Sequence, residues 1–280
     1  MLGRVNKLAA EKIDMSTKIE WCEETWNFLR GCSKVSEGCQ NCYALEFTVR
    51  HAHNPKIHPE TREASREVIH KVSGHWQWTG EVRVLEHAMA DPLNWHEPRI
   101  IFVCSMADPF HQNVPLCVVR KMLRIPLVAP QHKYLFLTKR PEEALKAFAE
   151  VDPPDNVWLG VTAENQKCAD MRIPVLLQVP AAVRFVSCEP MLEPIDLSRW
   201  LAPSRLQWVI CGAESGPRRR AFRMEWARGL KNQCVAAGVP FFLKQAQIDN
   251  KIVKMPELDG RVWREMPHEH LRRGLRAKRN

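Results

Sequence analysis

The sequence has little of what marks a secreted or membrane protein. It contains no long apolar run, and its first fourteen residues (MLGRVNKLAAEKID) have no hydrophobic stretch of signal-peptide type. No glycine-rich dinucleotide fingerprint follows any predicted strand, which removes the usual reason to expect an open nucleotide-binding sheet. With ten cysteines and none of these signals, the sequence indicates a cytoplasmic protein whose thiols bind metals or fill the core.

Composition indicates one large α/β core and an anionic partner. A chain of 280 residues with 45% hydrophobic content can bury one large core. The net charge of +9 favours nucleic acid, the commonest anionic partner of a cytosolic protein. Part of this charge lies in the triplet Arg218, Arg219 and Arg220, a candidate nucleic-acid contact, and part lies in the C-terminal tail.

Three cysteines form the most informative motif. Cys32, Cys39 and Cys42 follow a Cys-x6-Cys-x2-Cys spacing, within a polar, turn-prone loop. An iron–sulfur cubane held by three cysteines leaves one iron open for a small ligand. Structural zinc needs a fourth protein ligand, for which Cys22, His51 and His53 are available. The spacing alone fits both chemistries, whereas a disulfide is unexpected without a secretory signal.

Seven short apolar runs alternate with helix-like segments, which predicts a parallel sheet in a partial or complete βα barrel. We expect residues 1–17 to form an N-terminal extension, 18–250 the barrel domain and 251–280 a basic tail. Residues from about 52 to 98 break the rhythm and predict an inserted helix and hairpin. That stretch and its edge hold seven of the eleven histidines, whose irregular spacing favours surface and packing roles over a second metal site. Its tryptophans are expected to close the barrel rather than stack on bases.

Polar side chains follow every predicted strand, and in a βα barrel these strand ends share the rim that carries active sites. Any one of them could instead cap a helix. The rim candidates are Cys32, Ser105, Asp108, His111, Thr138, Lys139, Arg140, Thr162, Glu164, Asn165, Ser187, Cys188, Glu189, Glu214, Ser215, Lys244 and Gln245.

Several blocks in succession resemble the phage-associated three-cysteine-motif family, a radical-SAM-like group. The resemblance spans Lys18 to Gln245 and rests on these segments: KIEWCEETWNFLRGCSKVSEGCQNCYA, FVCSMADPFH, YLFLTKRPE, NVWLGVTAEN, IPVLLQVPAAVRFVSCEPML, WVICGAESGPRRR and CVAAGVPFFLKQ. It implies a radical-SAM-type barrel in which Cys32, Cys39 and Cys42 hold a [4Fe–4S] cluster. The usual cysteine spacing in radical SAM proteins is three and two residues, and the aromatic residue stands here after the third cysteine, as Tyr43, rather than before it.

The resemblance also implies an activity, in which S-adenosylmethionine is cleaved to a 5′-deoxyadenosyl radical. Asp108 is then the candidate for its amino group, Lys139 or Arg140 for its carboxylate, and Glu164 and Asn165 for its ribose, with Tyr43 as a further cofactor contact. Glu189, Glu214 and Lys244 remain for the substrate. The expected substrate is a DNA base or base-linked adduct, as in thymine hypermodification of phage DNA, in the host cytoplasm. The electron donor would be a flavodoxin or ferredoxin. Base repair and a non-catalytic, zinc-stabilised nucleic-acid-binding protein are the alternatives.

Overall fold

The computed structural model describes residues 17–202 and 205–267, which form a mixed α/β fold around a mostly parallel, curled sheet of eight strands. The strands are β1 (Glu24–Trp26), β2 (Leu29–Arg30), β3 (Ile69–Val72), β4 (His75–Trp78), β5 (Arg83–Val84), β6 (Ile100–Val103), β7 (Lys133–Thr138), β8 (Val157–Thr162), β9 (Val183–Cys188), β10 (Trp208–Gly212), β11 (Phe241–Ile248), β12 (Lys251–Lys254), β13 (Glu257–Leu258) and β14 (Arg261–Val262). The α-helices are α1 (Tyr43–His53), α2 (Pro59–Glu67), α3 (Leu116–Val128), α4 (Pro141–Glu150), α5 (Gln166–Leu176) and α6 (Met224–Ala237).

All seven predicted strands are confirmed, as β1 and β6 to β11. They lie side by side in chain order and every neighbouring pair is parallel. Helices α3 to α6 fall between successive strands, which is the connection that parallel pairing requires. Strands β1 and β12 form the two edges of the sheet, so the partial form of the predicted barrel is observed.

The strands are buried on both faces because each face packs against a separate apolar cluster. Alternate residues such as Tyr134 and Leu159 join the cluster that also contains residues of helices α3 to α6. The other face is lined by large aromatic rings, among them Trp158, Phe185 and Trp208. These rings lie in the first half of their strands and close the amino end of the sheet's inner face.

Gly160 makes room for one of those rings. A Cβ atom at this position would lie 2.4 Å from the ring of Phe185, which is fully buried. We expect Gly160→Ala to lower the free energy of unfolding by about 1–3 kcal/mol, because the packed core cannot accommodate the methyl group. Gly229→Ala is the matched control: a Cβ there, within α6, has no neighbour within 4 Å. It should raise stability by about 0.5–1 kcal/mol. Equal urea midpoints for the two variants would contradict this account.

The inserted helix and hairpin are confirmed, as α2 and the antiparallel pair β3–β4. Helix α1 precedes them and begins directly after the last motif cysteine, at Tyr43. Of the tryptophans in this segment, Trp78 is buried while Trp76 is partly exposed on the same hairpin strand. The prediction that the tryptophans close the barrel therefore fails for Trp76.

The predicted boundary at residue 250 is wrong. Lys251–Lys254 forms β12 and pairs antiparallel with β11, and the Glu265 backbone N–H donates to the Phe241 carbonyl oxygen at 3.1 Å. Residues 251–267 therefore belong to the fold; the rest of the predicted tail and the extension up to residue 16 lie outside the described residues. Within the described ranges, no helix is both long and apolar enough to cross a membrane.

Candidate metal centre

The cysteine loop, residues 31–42, lies across the carboxyl ends of the parallel strands. Gly31 forms a bridge with Ala107, just after β6, and Gly38 contacts Glu164, just after β8. Asn41 Nδ2 donates to Glu214 Oε2, after β10, at 3.1 Å. The loop therefore covers the open end of the concave inner face, and the predicted grouping of cysteines with strand ends is confirmed.

Two glycines fit the loop into this position. Gly31 has φ +96°, a left-handed conformation that favours glycine, and a Cβ there would lie 2.1 Å from the Glu81 carbonyl oxygen. A Cβ on Gly38 would lie 2.9 Å from the Glu164 carboxylate carbon. Side chains at either position would push the loop away from the strand ends.

The three motif thiols lie near one another on the loop, but their sulfurs do not form one group within 4.8 Å. Cys32, Cys39 and Cys42 are each partly exposed and interact electrostatically. At least one pair of their sulfurs is more than 4.8 Å apart, since among the described residues the cysteines do not form a tighter group. Tetrahedral zinc, with bonds of about 2.3 Å, places sulfurs about 3.8 Å apart. A cubane binds each thiolate at a different iron, which spreads the sulfurs.

A fourth zinc ligand is also missing at that spacing. Within the part of the chain that the structure describes, neither Cys22, His51 nor His53 joins two of the motif cysteines in a group within 4.8 Å. Cys22 is buried in the aromatic cluster on the inner face, and His53 Nδ1 lies 2.8 Å from the Val49 carbonyl oxygen. The donor set thus fits a three-cysteine cluster better than a tetrahedral zinc ion.

Cations lie beside these thiols. Burial raises the pKa of Cys32 to about 11 and also raises the pKa of Cys42. Arg140 opposes the first shift and Lys139 the second. Because metal coordination deprotonates thiols, the two cations would offset part of the thiolate charge in a loaded site.

Arg140 also binds the cysteine loop through hydrogen bonds. Its Nη2 donates to the Ser33 carbonyl oxygen at 3.0 Å and to Ser33 Oγ at 2.8 Å. Its Nη1 lies 4.0 Å from Cys32 Sγ and 2.9 Å from Asp108 Oδ2. The guanidinium is therefore already engaged with protein groups, which leaves it little capacity to bind a ligand carboxylate.

Asp108 serves this network rather than an open site. It is 8% exposed, and both carboxylate oxygens accept protein hydrogen bonds. Oδ1 accepts from the Phe110 backbone at 3.0 Å and from Thr138 Oγ1 at 2.7 Å. Oδ2 accepts from the Lys139 backbone at 3.1 Å in addition to Arg140. The structure makes Asp108 the anchor of Arg140, so its predicted role as a ligand for an amino group does not fit.

Glu164 is fully buried below Gly38. Arg172 Nη1 lies 2.7 Å from Glu164 Oε2, and the other oxygen, Oε1, makes no hydrogen bond of normal geometry. Although burial alone would raise its pKa, Lys139 and Arg172 hold the pKa of Glu164 below its ordinary value. The Ser36 hydroxyl and the Cys168 thiol lie beside this carboxylate, and the side chain is fully buried, so the ribose contact of Glu164 stays a prediction.

Asn165, the second predicted ribose contact, caps a helix. Its side-chain oxygen accepts a hydrogen bond from the Cys168 backbone N–H at 2.8 Å and so satisfies one of the unpaired donors of the first turn of α5. The Asn165 side-chain oxygen is therefore already bound to the helix, and a ribose contact through this oxygen does not fit.

Glu189 and Lys244 form an ion pair on the inner face. Both are partly exposed, at 18% and 16% of their side-chain area. Gln245 supports the pair, with Nε2 donating to the Ala213 carbonyl oxygen at 2.7 Å and lying 3.4 Å from Glu189 Oε1. Two of the three residues predicted to act on the substrate, Glu189 and Lys244, thus lie together on the inner face of the sheet.

Glu214 binds the loop and the arginine triplet. Arg220 pairs with its carboxylate, which also accepts from Asn41. Burial acts to raise the pKa of Glu214, but hydrogen bonds from these two residues lower it. Arg219 donates to the Gly216 carbonyl oxygen at 3.0 Å, whereas Arg218 is 66% exposed. The triplet is therefore no uniform basic patch, because Arg218 alone of the three faces solvent with most of its side chain.

Tyr43 is the first residue of α1 and directly follows Cys42. Its hydroxyl donates to the Ser105 carbonyl oxygen at 2.6 Å, while its side chain remains 39% exposed. Burial of the hydroxyl raises its pKa, and nearby Cys42 and Glu189 act in the same direction. The ring is partly exposed next to the last motif cysteine, and its role as a cofactor contact stays a prediction.

A second group of possible metal ligands lies outside this site. His58, Glu60 and His87 have ligand atoms within 4.8 Å of one another. The two imidazoles stack at 3.8 Å with an interplanar angle of 23°, so their in-plane lone pairs do not converge on one point. Glu60 is occupied by the Glu86 backbone N–H at 2.8 Å and by His87. This geometry agrees with the predicted packing role of these histidines.

Sequence reasoning missed two side chains that shape the centre. Arg172 balances Glu164, yet a single arginine inside a helix gives no signal of burial. Ser33 couples Cys32 to Arg140 and to His111 Nε2, which lies 2.8 Å from its hydroxyl oxygen. The position of Ser33 directly after the motif residue Cys32 is the sequence feature that could have indicated this role.

Together these features define a class of protein: an α/β half-barrel with a three-cysteine loop over the carboxyl ends of its strands. The chain belongs to the family described as "Protein of unknown function (DUF5131)", whose model matches residues 16–267. Searches of curated proteins and of solved structures give no match.

Proposed function

We propose that this protein is a radical S-adenosylmethionine enzyme whose Cys32, Cys39 and Cys42 hold a [4Fe–4S] cluster. The observation that supports this most is the set of three cysteines on one loop that is anchored over the strand ends of a concave sheet. Three ligands for four irons leave one coordination position open, and the loop turns its partly exposed thiols toward the end of the sheet where α/β proteins bind ligands.

When bound and reduced, such a cluster supplies the electron that cleaves S-adenosylmethionine to methionine and a 5′-deoxyadenosyl radical. Lys139 is the residue best placed to bind the methionine carboxylate, because its ammonium makes no ion pair within the described ranges while Arg140 is held by Asp108 and Ser33. The Tyr43 ring, 39% exposed, is available to an adenine face. Glu164 is fully buried and would bind a ribose hydroxyl only after the loop at Gly38 moved.

The proposed substrate is a nucleic-acid base or a base-linked adduct, such as a modified thymine in phage DNA. The net charge of +9 and the exposed Arg218 beside the loop favour a phosphate-bearing substrate. The Glu189–Lys244 pair is positioned to donate or accept a proton on the inner face. A small electron carrier such as a flavodoxin or ferredoxin would reduce the cluster.

The proposal is tested with anaerobically reconstituted, dithionite-reduced protein. Incubation with S-adenosylmethionine should yield 5′-deoxyadenosine, measured by chromatography. Lys139→Gln should raise the concentration of S-adenosylmethionine needed for half-maximal rate about tenfold, since one charge-assisted contact contributes about 1.5 kcal/mol. Lys146→Gln on the exposed face of α4 is the control. A protein that retains its cluster but forms no 5′-deoxyadenosine would exclude this function.

A further inference from the structure

The surface beside the cysteine loop carries aromatic rings paired with cations that cluster binding does not use. On α1, the Arg50 guanidinium carbon lies 5.1 Å from the ring centroid of Phe47, which is 44% exposed. On the β3–β4 hairpin, Lys71 Nζ lies 5.0 Å from the ring centroid of the partly exposed Trp76. The inserted segment thus presents a second aromatic wall opposite the first helix.

A pocket of about 350 Å³ separates these two elements. Its lining comes from α1, from the hairpin and from Arg218: Leu45, Glu46, Val49, Arg50, Gly74, His75, Trp76 and Arg218. Phe47 lies outside the lining, next to Glu46 along α1, so it would contact a base that extends beyond the pocket. We name this cavity the α1–hairpin pocket. Its volume falls within the range of about 300–1,000 Å³ that is usual for small-ligand pockets.

The pocket is linked to the cysteine loop through Arg218, which lines the pocket and is hydrogen-bonded to Asn41 of the loop. The rings of Tyr43 and Phe47 lie 6.4 Å apart along α1, in the turn that follows Cys42. From Tyr43 to Arg50 the helix rises by about 10 Å. Asn41, in the loop itself, donates through Nδ2 to the Arg218 carbonyl oxygen at 2.8 Å. A chain that crosses the pocket therefore reaches the thiols within a short distance.

The charge around the pocket favours an anion. Arg50 and Arg218 lie on either side of Glu46, at 3.9 and 3.8 Å from its carboxylate oxygens, and Lys71 adds a further cation on the hairpin. Two arginines thus flank one carboxylate, and both are about two-thirds exposed, at 67% and 66%. The combination of exposed rings and mobile cations is typical of single-stranded nucleic-acid sites, where bases stack and phosphates are neutralised.

We propose that the α1–hairpin pocket binds an unpaired nucleotide of a single-stranded, or locally opened, nucleic acid whose neighbouring base reaches the cysteine loop. That the neighbouring base reaches the cysteine loop rests on the proposed function, in which the substrate is a nucleic-acid base. Bases inside a duplex cannot stack on Phe47 or Trp76, so the target strand must be opened before it binds.

Fluorescence anisotropy with a labelled single-stranded oligonucleotide and its duplex tests the proposal, on protein with and without reconstituted cluster. Single strands should bind more tightly. Phe47→Ala and Trp76→Ala should each weaken single-strand binding roughly 5- to 150-fold with an unchanged salt dependence. Arg50→Gln should reduce the slope of log affinity against log salt by about 0.7. Phe47 is an exposed ring whose removal leaves the core intact, which keeps the test valid if Trp76→Ala misfolds.

Arg261→Gln is the matched control. The Arg261 guanidinium carbon lies 3.5 Å from the Trp263 ring centroid, next to a segment that bonds to the first residues of β11, at the amino end of the strand. It should change neither affinity nor salt dependence. Any of three results would overturn the pocket proposal. They are unchanged binding in both aromatic variants, equal affinity for the duplex, and displacement of the oligonucleotide by polyglutamate at equal charge. Formation of 5′-deoxyadenosine is measured separately. If no 5′-deoxyadenosine forms but single strands still bind, the proposed enzymatic function is rejected and the proposed binding site is retained.

Discussion

Serine at any one of Cys32, Cys39 or Cys42 is expected to reduce bound iron from about four atoms per chain to less than one. In the proposed cluster each thiolate would hold a different iron, and a cluster held at only two corners on a partly exposed loop would be lost to solvent. The visible absorbance of the reconstituted protein should disappear with the iron. Iron and sulfide analysis after anaerobic desalting measures the effect.

Two other cysteines provide the controls for this prediction. Cys117 is exposed on α3, and Cys22 is buried on the inner face. Cys117→Ser should retain full iron, as should Cys22→Ala, since neither thiol belongs to the loop. One equivalent of zinc in the wild type with no sulfide would reject the cluster, and so would full iron retention in the Cys39 variant. Loss of iron on replacement of Cys22 would instead identify a fourth ligand.

The sheet could be predicted from sequence because its strands are continuous apolar runs. VWLGVT of β8 is buried at every position, and such a run admits few environments other than a central parallel strand. Strand β12 gave no such signal, since KIVK has three exposed residues and pairs at the edge. Its pairing comes from the turn at Asp249 and Asn250, both of which have positive φ.

The location of the site was predictable, but the roles of its residues were less so. Parallel strands place their carboxyl ends on one edge, so the topology alone brings Asp108, Glu164 and Glu214 together. Which hydrogen bonds each one makes depends on tertiary neighbours such as Ser33 and Arg172. Asp108, for example, forms an ion pair with Arg140, which the sequence alone does not indicate. Asn165 is different, because an asparagine before a helical segment is an ordinary cap and its role was readable.

Breaking the Glu164–Arg172 pair should have the largest effect on stability. Both side chains are at most 5% exposed. Arg172→Met leaves an uncompensated buried carboxylate and is expected to lower the free energy of unfolding by about 3–5 kcal/mol, measured by urea denaturation of the metal-free protein. The double variant Glu164→Leu with Arg172→Met removes both charges and should recover most of this loss. Arg199→Met breaks the exposed pair with Asp170 and should cost at most about 1 kcal/mol.

The same pair gives stability a defined pH dependence. Lys139 and Arg172 hold the folded pKa of Glu164 below its ordinary value despite burial, while an unfolded glutamate titrates at about pH 4.3. The unfolded state therefore takes up this proton first, so the contribution of the ionised carboxylate is complete above about pH 4.3 and declines as the pH falls toward the folded pKa. The stability difference between wild type and the double variant should change across that acidic range and stay constant from about pH 6 to 8. A difference that changes only at neutral pH would assign the effect to another group.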